Sequence, residues 1–368
     1  MIALLSLAVW VYLFFGHGGF WRSRPQLLPA VPSEFPDVDI IVPARDEGET
    51  IGAAIASLLA QDYTGRYRVI LVDDNSTDDT AALAGAAAMA GAAANLQIVR
   101  LHTKPSGWSG KLWALHEGVA ASRAPVLLFT DADIVHERGH LSSLLAQLLA
   151  ARLDLVSEMV RLNCSSFAER ALVPAFVYFF QMLYPFAKVN DPRSAVAAAA
   201  GGTVLIRREA LERIGGVEAI RGALIDDVAL ARAVKQGGAI FLGHSGLATS
   251  VRRYPGFVDV WRMISRTAFT QLRYSAWLLG LTIAGLTVVW LVPPWELAFG
   301  SGWHRACGLA ACALAAASFV PTLARYRRSK AWALALPLIA LFYMAATAAS
   351  AVNYWRGKGA NWKNRAYQ

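Results

Sequence analysis

Val126-Leu127-Leu128-Phe129-Thr130-Asp131-Ala132-Asp133 opens as five residues suited to a buried strand and closes on two carboxylates one residue apart. Working outward, the same arrangement precedes it twice. Val38–Val42 runs into Pro43-Ala44-Arg45-Asp46-Glu47, and Arg68–Val72 runs into Asp73-Asp74-Asn75-Ser76-Thr77-Asp78. Gln97–Leu101 is a further short run, and Glu49–Gln61, Asp79–Ala90 and Lys111–Ala121 carry helix-forming residues between the runs. Strands alternating with helices over residues 37–135 predict an α/β domain whose parallel sheet is covered by helices. Ligands of such sheets bind beyond the carboxyl ends of the strands, where three acidic clusters converge here.

Some of these acids have a plain structural use. Ser76 or Asp78 is placed to cap the following helix, which leaves Asp73 and Asp74 to be explained. Continued strand geometry sends Asp131 and Asp133 to one face, where two carboxylates repel unless a cation is near. Hard oxygen ligands with open positions suit Mg2+ or Mn2+ carrying a phosphorylated substrate; a turn with solvated acids is the alternative. Neither Gly-x-Gly-x-x-Gly after a strand nor a P-loop motif occurs, so phosphate has to be held by metal and by Lys or Arg. Lys111, in Ser109-Gly110-Lys111, can supply charge near the positive end of its helix, or be an ordinary surface lysine.

Further along, Gly201-Gly202-Thr203 precedes the apolar run Val204–Ile206. Paired glycines admit close backbone approach to a ligand, although a simple turn is their commoner use. Asp226-Asp227 open a helix expected over Val228–Gln236. One of the two is expected as its N-cap. The other is a candidate general base, its pKa raised by the like charge beside it. His102, His116, His136, His140 and His244 show no mutual metal spacing and read as solvated or satisfied; only His244 follows the Asp pair closely enough to be considered for a metal site.

The 368 residues include 35 Lys+Arg against 26 Asp+Glu, a net charge of +9, with 56% hydrophobic and 17% charged residues. That charged fraction is well below the roughly 25% of an ordinary soluble domain, which argues against a purely cytosolic globule or a disordered chain. From Leu297 onward there are nine basic residues and no acid, so residues 1–296 carry 26 of each sign and are neutral. A basic excess that alternates with apolar spans reads as juxtamembrane charge and not as a nucleic-acid surface.

Met1–Phe20 is apolar apart from His17 and is followed by Arg22 and Arg24; lacking leading charges and a small-residue cleavage site, it reads as an uncleaved anchor over residues 1–24. Trp277–Phe299, Ala306–Leu323 and Ala331–Tyr354 are long enough to span, within a C-terminal membrane region 277–354. Pro293-Pro294 is expected to end the first span early, and Ala171–Phe186, cut by Pro174 and Pro185, to be too broken to span. Residues 258–276 place Trp261, Ile264, Ala268 and Leu272 at helical spacing, as in an interfacial helix. The basic tail 355–368 falls outside if all three spans cross, against the positive-inside tendency. Cys164, Cys307 and Cys312 offer neither metal spacing nor a disulfide framework.

In order, Val42-Pro43-Ala44-Arg45-Asp46-Glu47, Asp73-Asp74-Asn75-Ser76-Thr77-Asp78, Lys111 with Ala114-Leu115, Asp131-x-Asp133, Gly201-Gly202 and Asp226-Asp227 resemble the motifs of family 2 glycosyltransferases with the GT-A fold. The resemblance covers about residues 37–275. The run Gly107–Leu115, Tyr254-Pro255-Gly256 and the closing spans are most similar to the hopene-associated glycosyltransferases of bacterial hopanoid synthesis. This implies a GT-A (Rossmann-like) mixed-sheet domain over 37–257. It places Pro43, Arg45 and Glu47 around the nucleoside, Asp74 on the base and Lys111 and Asp131 near the nucleotide sugar. It also implies Asp133 on the divalent cation with Asp131 beside it, Gly201 and Gly202 against the sugar or acceptor, and Asp227 as catalytic base.

The implied reaction is inverting and metal-dependent (Mn2+ or Mg2+): one sugar passes from a nucleotide-sugar donor, a UDP-sugar foremost, to a lipid acceptor for which a hopanoid is the candidate. The implied location is the bacterial inner membrane, with the catalytic domain facing the cytoplasm and no nucleic-acid partner. Arg262-Met263-Ile264-Ser265-Arg266-Thr267 lacks the Gln/Arg-x-x-Arg-Trp of processive members, which favours single transfer. Two other classes compete: an Asp-x-Asp phosphatase with Mg2+ acting on a membrane phospholipid or isoprenoid phosphate, although such enzymes carry that motif on their first strand, and a non-catalytic membrane scaffold.

Overall fold

The computed structural model describes the chain apart from residues 92–94, 358–360, 363–364 and 367–368, and it divides into two compact units. Lys358 and Lys363 of the expected basic tail lie outside the described residues.

One unit comprises Pro25–Asn163, Lys188–Arg252 and the last residues from Asn361. Its centre is an eight-stranded sheet of β1 (Val38–Ala44), β2 (Tyr67–Asp73), β3 (Leu96–Arg100), β4 (Val126–Thr130), β5 (Ile134–His136), β6 (Leu155–Arg161), β7 (Thr203–Arg207) and β8 (Ile240–Ser250), in the order β3-β2-β1-β4-β7-β6-β8-β5. The first four strands by position are parallel, as the alternation of runs and helices predicts. β7 then runs antiparallel to both β4 and β6, and β5 antiparallel to β8, so the sheet is mixed. β1 and β4 are buried at every position, which is why β4 up to Thr130, and β1 apart from Asp39, read as apolar runs.

Helices cover this sheet through spaced apolar positions. Ile51–Leu59 buries Ile51, Ala54, Ile55 and Leu58, a helical stripe. The helix Gly110–Ala120 meets the sheet at Gly118, where a Cβ would stand 2.4 Å from Ile41 Cγ2 and 3.0 Å from Val72 Cγ2; only glycine permits that approach. The 11-residue helix Thr80–Ala90 has Asp79 at its N-cap position without a side-chain bond, and Asp78 Oδ1 instead accepts the Thr80 N–H at 3.1 Å.

The other unit comprises Met1–Arg24, Cys164–Ala187 and residues 253–357. It holds three helices long and apolar enough to cross a membrane, Ala276–Phe299, Trp303–Arg325 and Lys330–Trp355. The first continues through Pro293-Pro294, contrary to expectation. A π-turn at Thr287–Leu291 precedes the prolines, which sit at the start of the next helical stretch, where a missing N–H costs little. Phe167–Leu183 is likewise one 17-residue helix through Pro174, started by a Ser166/Glu169 capping box and burying Ala171, Leu172, Ala175 and Tyr178. Residues 258–276 do not form one helix: Phe257–Ser265 is followed by the short Ala268–Gln271, and Arg273 and Tyr274 take positive φ. The N-terminal helix Ile2–Gly16 is shorter than a span and is fastened by Ser6 Oγ to Val288 O (2.8 Å) and Trp10 Nε1 to Val289 O (2.7 Å).

Candidate active site

The loops after β1 and β2 lock each other through backbone donors. Asp46 N–H donates to Ser76 Oγ (3.0 Å), Thr77 N–H to Asp46 Oδ1 (2.7 Å), Gly48 N–H to Asp78 Oδ2 (2.9 Å) and Ser76 N–H to Asp73 Oδ1 (3.1 Å). Asp46 and Asn75 hold left-handed backbone at φ 48° and 55°, which Asp and Asn tolerate best among side-chain-bearing residues. Asp73, Ser76 and Asp78 therefore build the loops. Asp74 is buried, its N–H bonded to Ala44 O (2.8 Å), while Arg45 Nη1 donates to Asp74 O (2.5 Å) and stands 3.8 Å from Asp74 Oδ2.

Beyond β4 the strand stops at Thr130, and Asp131–Asp133 form a turn into β5 rather than an extended pair sharing a face. The two carboxylates take different partners. Asp131 Oδ1 accepts from Lys111 Nζ at 2.9 Å. Asp133 Oδ2 accepts from Ser250 Oγ (3.1 Å) and Arg252 Nε (2.8 Å), and Arg252 Nη2 also reaches Glu47 Oε1 at 2.8 Å. Arg252 was not singled out in the sequence. It lies 205 residues from Glu47 and 119 from Asp133, and the only local signal is a pair of arginines just beyond a strand.

Lys111, in the first turn of Gly110–Ala120, whose N-cap Ser109 accepts the Leu112 N–H, also lies 3.1 Å from Asp226 Oδ2. Neither aspartate of the pair is an N-cap: the helix Asp226–Lys235 has Ile225 there, and both acids occupy its first turn. Asp227 Oδ1 accepts the Val228 N–H (2.7 Å) and Oδ2 the Gly201 N–H (2.8 Å). The glycine pair thus presents a donor to Asp227, with Gly202 O accepting from Thr130 Oγ1 and the Asp131 N–H.

Burial pushes the Asp227 carboxyl up to about 7, and the Asp226 charge adds to it, against Lys111 and the two backbone donors. Burial opposes the Lys111 ammonium, but Asp131, Asp226 and Asp227 outweigh it and hold its pKa well above the ordinary value. Asp131 is raised by burial, with Asp133 and Asp226 adding to the effect and Lys111 countering. An open cleft brings Pro43, Lys111, Asp131, Gly201, Asp226 and Asp227 onto one lining.

Asp131 Oδ2 and Asp133 Oδ1 make no hydrogen bond among the described residues. Two hard oxygens are therefore presented, and no group of three His, Cys, Asp or Glu among the described residues is placed to hold a metal by itself. The pair fits a divalent cation only if a ligand's phosphate oxygens or water complete the shell. His244 is fully buried in β8, with its backbone N–H donating to Pro25 O at 2.9 Å; it forms no metal group with the aspartates.

Residues 39–215 match the family model described as Glycosyl transferase family 2, and the mixed sheet has the GT-A fold. Among curated proteins, the chain is 35% identical over 111 residues to the succinoglycan biosynthesis protein ExoU of Rhizobium meliloti, 30% of each chain. It is 29% identical over 158 residues to the beta-monoglucosyldiacylglycerol synthase of Synechocystis sp., 36% of this chain and 32% of that one. The matches therefore span about a third of the length of these relatives. Among solved structures, the mannosyltransferase PcManGT from Pyrobaculum calidifontis, in complex with GDP-Man and Mn2+, superposes with a TM-score of 0.59 at 21% identity, covering 97% of this chain and 99% of that chain.

Proposed function

We propose that this protein is a membrane-bound, inverting glycosyltransferase that moves one sugar from a nucleotide-sugar donor to a lipid acceptor. The observation that carries the reading is Asp227: a carboxylate at the cleft, fixed by two backbone donors, with its pKa near 7 and a lysine-bridged acid pair beside it. A base poised near neutrality can accept a proton as the acceptor oxygen attacks. In the proposed step Asp227 takes the acceptor hydroxyl proton, the oxygen bonds to the anomeric carbon from the face opposite the leaving group, and the bond to the nucleoside diphosphate breaks. Configuration inverts because there is one displacement.

Pro43, Arg45, Glu47 and Asp74 are assigned to the nucleoside, and Lys111 and Asp131 to the diphosphate sugar, consistent with their grouping at the strand ends. Asp133 and Asp131 would hold Mn2+ or Mg2+, which supplies charge neutralisation of the departing diphosphate. Gly201 lines the cleft and is assigned to the sugar, whereas a Cβ on Gly202 would meet Val160 and Ile134 and not the cleft. A UDP-sugar donor, a hopanoid acceptor, and an inner-membrane location with the catalytic domain on the cytoplasmic side complete the proposal. The three long apolar helices support membrane residence.

The test is transfer by purified full-length protein in lipid vesicles. Release of nucleoside diphosphate should require added acceptor lipid and should fall about 10²- to 10⁴-fold in Asp227→Asn. Release of inorganic phosphate from a simple phosphoester, without any glycolipid product, would overturn it.

A further inference from the structure

A buried chain of side chains that the mechanism does not use runs from β6 to the glycine pair. Glu158 Oε1 lies 2.5 Å from His140 Nε2, His140 Nδ1 lies 2.9 Å from His136 Nδ1, His136 Nε2 lies 3.1 Å from Thr130 Oγ1, and Thr130 Oγ1 donates to Gly202 O at 2.9 Å. Glu158, His140, Thr130 and His136 are 0%, 1%, 1% and 4% exposed, so water does not fill in for a missing link.

With His136 neutral, the direction of every hydrogen bond follows from the far end. A carbonyl oxygen only accepts, so the Thr130 hydroxyl points at Gly202, and His136 must present Nε2–H to the Thr130 oxygen. Neutral His136 then offers a lone pair at Nδ1, His140 must carry Nδ1–H, and one further proton lies between His140 Nε2 and Glu158 Oε1. A charged His136 would instead donate from Nδ1 and turn His140 to its Nε2–H form, reversing that link. Burial, with His140 adding to it, holds the His136 pKa well below its ordinary value, in keeping with a neutral ring.

The chain ends on a peptide with two neighbours at the site. Gly202 O also accepts the Asp131 N–H at 3.3 Å, and the Thr203 hydroxyl lies 2.7 Å from it. The preceding residue, Gly201, donates its N–H to Asp227 Oδ2. We propose that Glu158, His140 and His136 are positioning residues of the transfer site: through Thr130 they fix the Gly202 carbonyl, and with it the turn carrying Asp131 and the backbone donor that holds Asp227. The proposal rests on Asp227 being the base. It predicts that cutting the chain weakens the Gly201–Asp227 bond, removes a group that favours the ionised carboxylate, and so raises the Asp227 pKa.

The experiment compares Thr130→Val, Thr130→Ser, Glu158→Leu and Glu158→Gln in the purified full-length protein, reading kcat against pH at saturating donor together with the melting temperature. Thr130→Val and Glu158→Leu should move the acid limb of the kcat profile upward by about half a unit or more. Thr130→Ser keeps the hydroxyl, and Glu158→Gln can donate to His140 Nε2 without reversing any link, so both should keep the wild-type limb. Folded Thr130→Val or Glu158→Leu protein with an unmoved limb overturns the proposal. So does failure of both to fold, since the chain would then serve the core alone. Asp227→Asn separates the two readings. Wild-type turnover there sinks the base assignment and this inference with it, whereas lost turnover there with an unmoved limb in Thr130→Val sinks this inference alone.

Discussion

Removing the Lys111 charge should shift the pH at which the site becomes active, and the size follows from geometry. A Cβ built on Gly201 would lie 3.3 Å from Asp227 Oδ2 and 3.4 Å from Lys111 Nζ, so the two groups are at most about 6.7 Å apart (3.3 plus 3.4). At an effective dielectric of about 20, unit charges at that separation attract by about 2.5 kcal/mol, or about 1.8 pKa units. Water at the open cleft reduces this to about one unit. Lys111→Met should therefore move the acid limb of kcat from about 7 to about 8, leaving about a tenth of Asp227 ionised at pH 7 in place of about half. Asp226→Asn removes a like charge and should move the limb the other way, below 7. The assay is kcat from pH 5.5 to 9.5 at saturating donor, which separates the electrostatic effect from weaker donor binding. A limb unmoved in Lys111→Met, or both variants shifting in the same direction, would refute the reasoning.

Asp227→Asn should also change stability in a pH-dependent way. The folded pKa is raised above the ordinary carboxyl value of 3.8, so the stability associated with the protonated form is present below that value and is lost as pH rises through about 7. The variant should thus be more stable than wild type at pH 8, by about 1–2 kcal/mol after allowance for solvent at the cleft, with little gain at pH 4; thermal melts at the two pH values read this difference. Arg252→Ala leaves Glu47 and Asp133 without their shared guanidinium. It should weaken nucleotide binding about tenfold or more by isothermal titration, and unchanged affinity would separate Arg252 from the donor site. Gly118→Ala drives a methyl into Ile41 and Val72 and should cost about 1–3 kcal/mol by denaturant unfolding. Chelation with EDTA should raise the donor KM, with Mn2+ or Mg2+ restoring it, if the free oxygens of Asp131 and Asp133 hold the cation as proposed.

The parallel half of the sheet was legible because β1, β4 and the Val69–Asp73 part of β2 are buried and so appear as short, mostly apolar runs ending in polar loops. The antiparallel placement of β7 was not, since the residues Thr203–Arg207 read the same in either direction. Pro293-Pro294 was misread because a local rule about a missing N–H outweighed packing that the sequence does not display: a π-turn reset the ladder ahead of Pro293. Phe167–Leu183 runs through Pro174, buried along one face, and, as expected, is not among the helices long and apolar enough to span.

At the site, the residue types and their order determined which groups would gather: acids follow strands, Lys111 opens a helix, and Asp226 and Asp227 open another. Those features are local, and strand-end geometry sends them to one edge whatever the later chain does. Only the tertiary structure decided how they divide the work. Lys111 is shared by Asp131 and Asp226, while Arg252 arrives from β8 to bind Asp133 and Glu47, and Gly201 turns its N–H to Asp227. The buried histidines show the same division. Their spacing of four residues is visible in the sequence, but their roles depend on Glu158 and Gly202, which only sheet pairing brings within hydrogen-bond distance. Charge and hydrogen bonding act over a few ångströms of space, and sequence separation does not measure that distance.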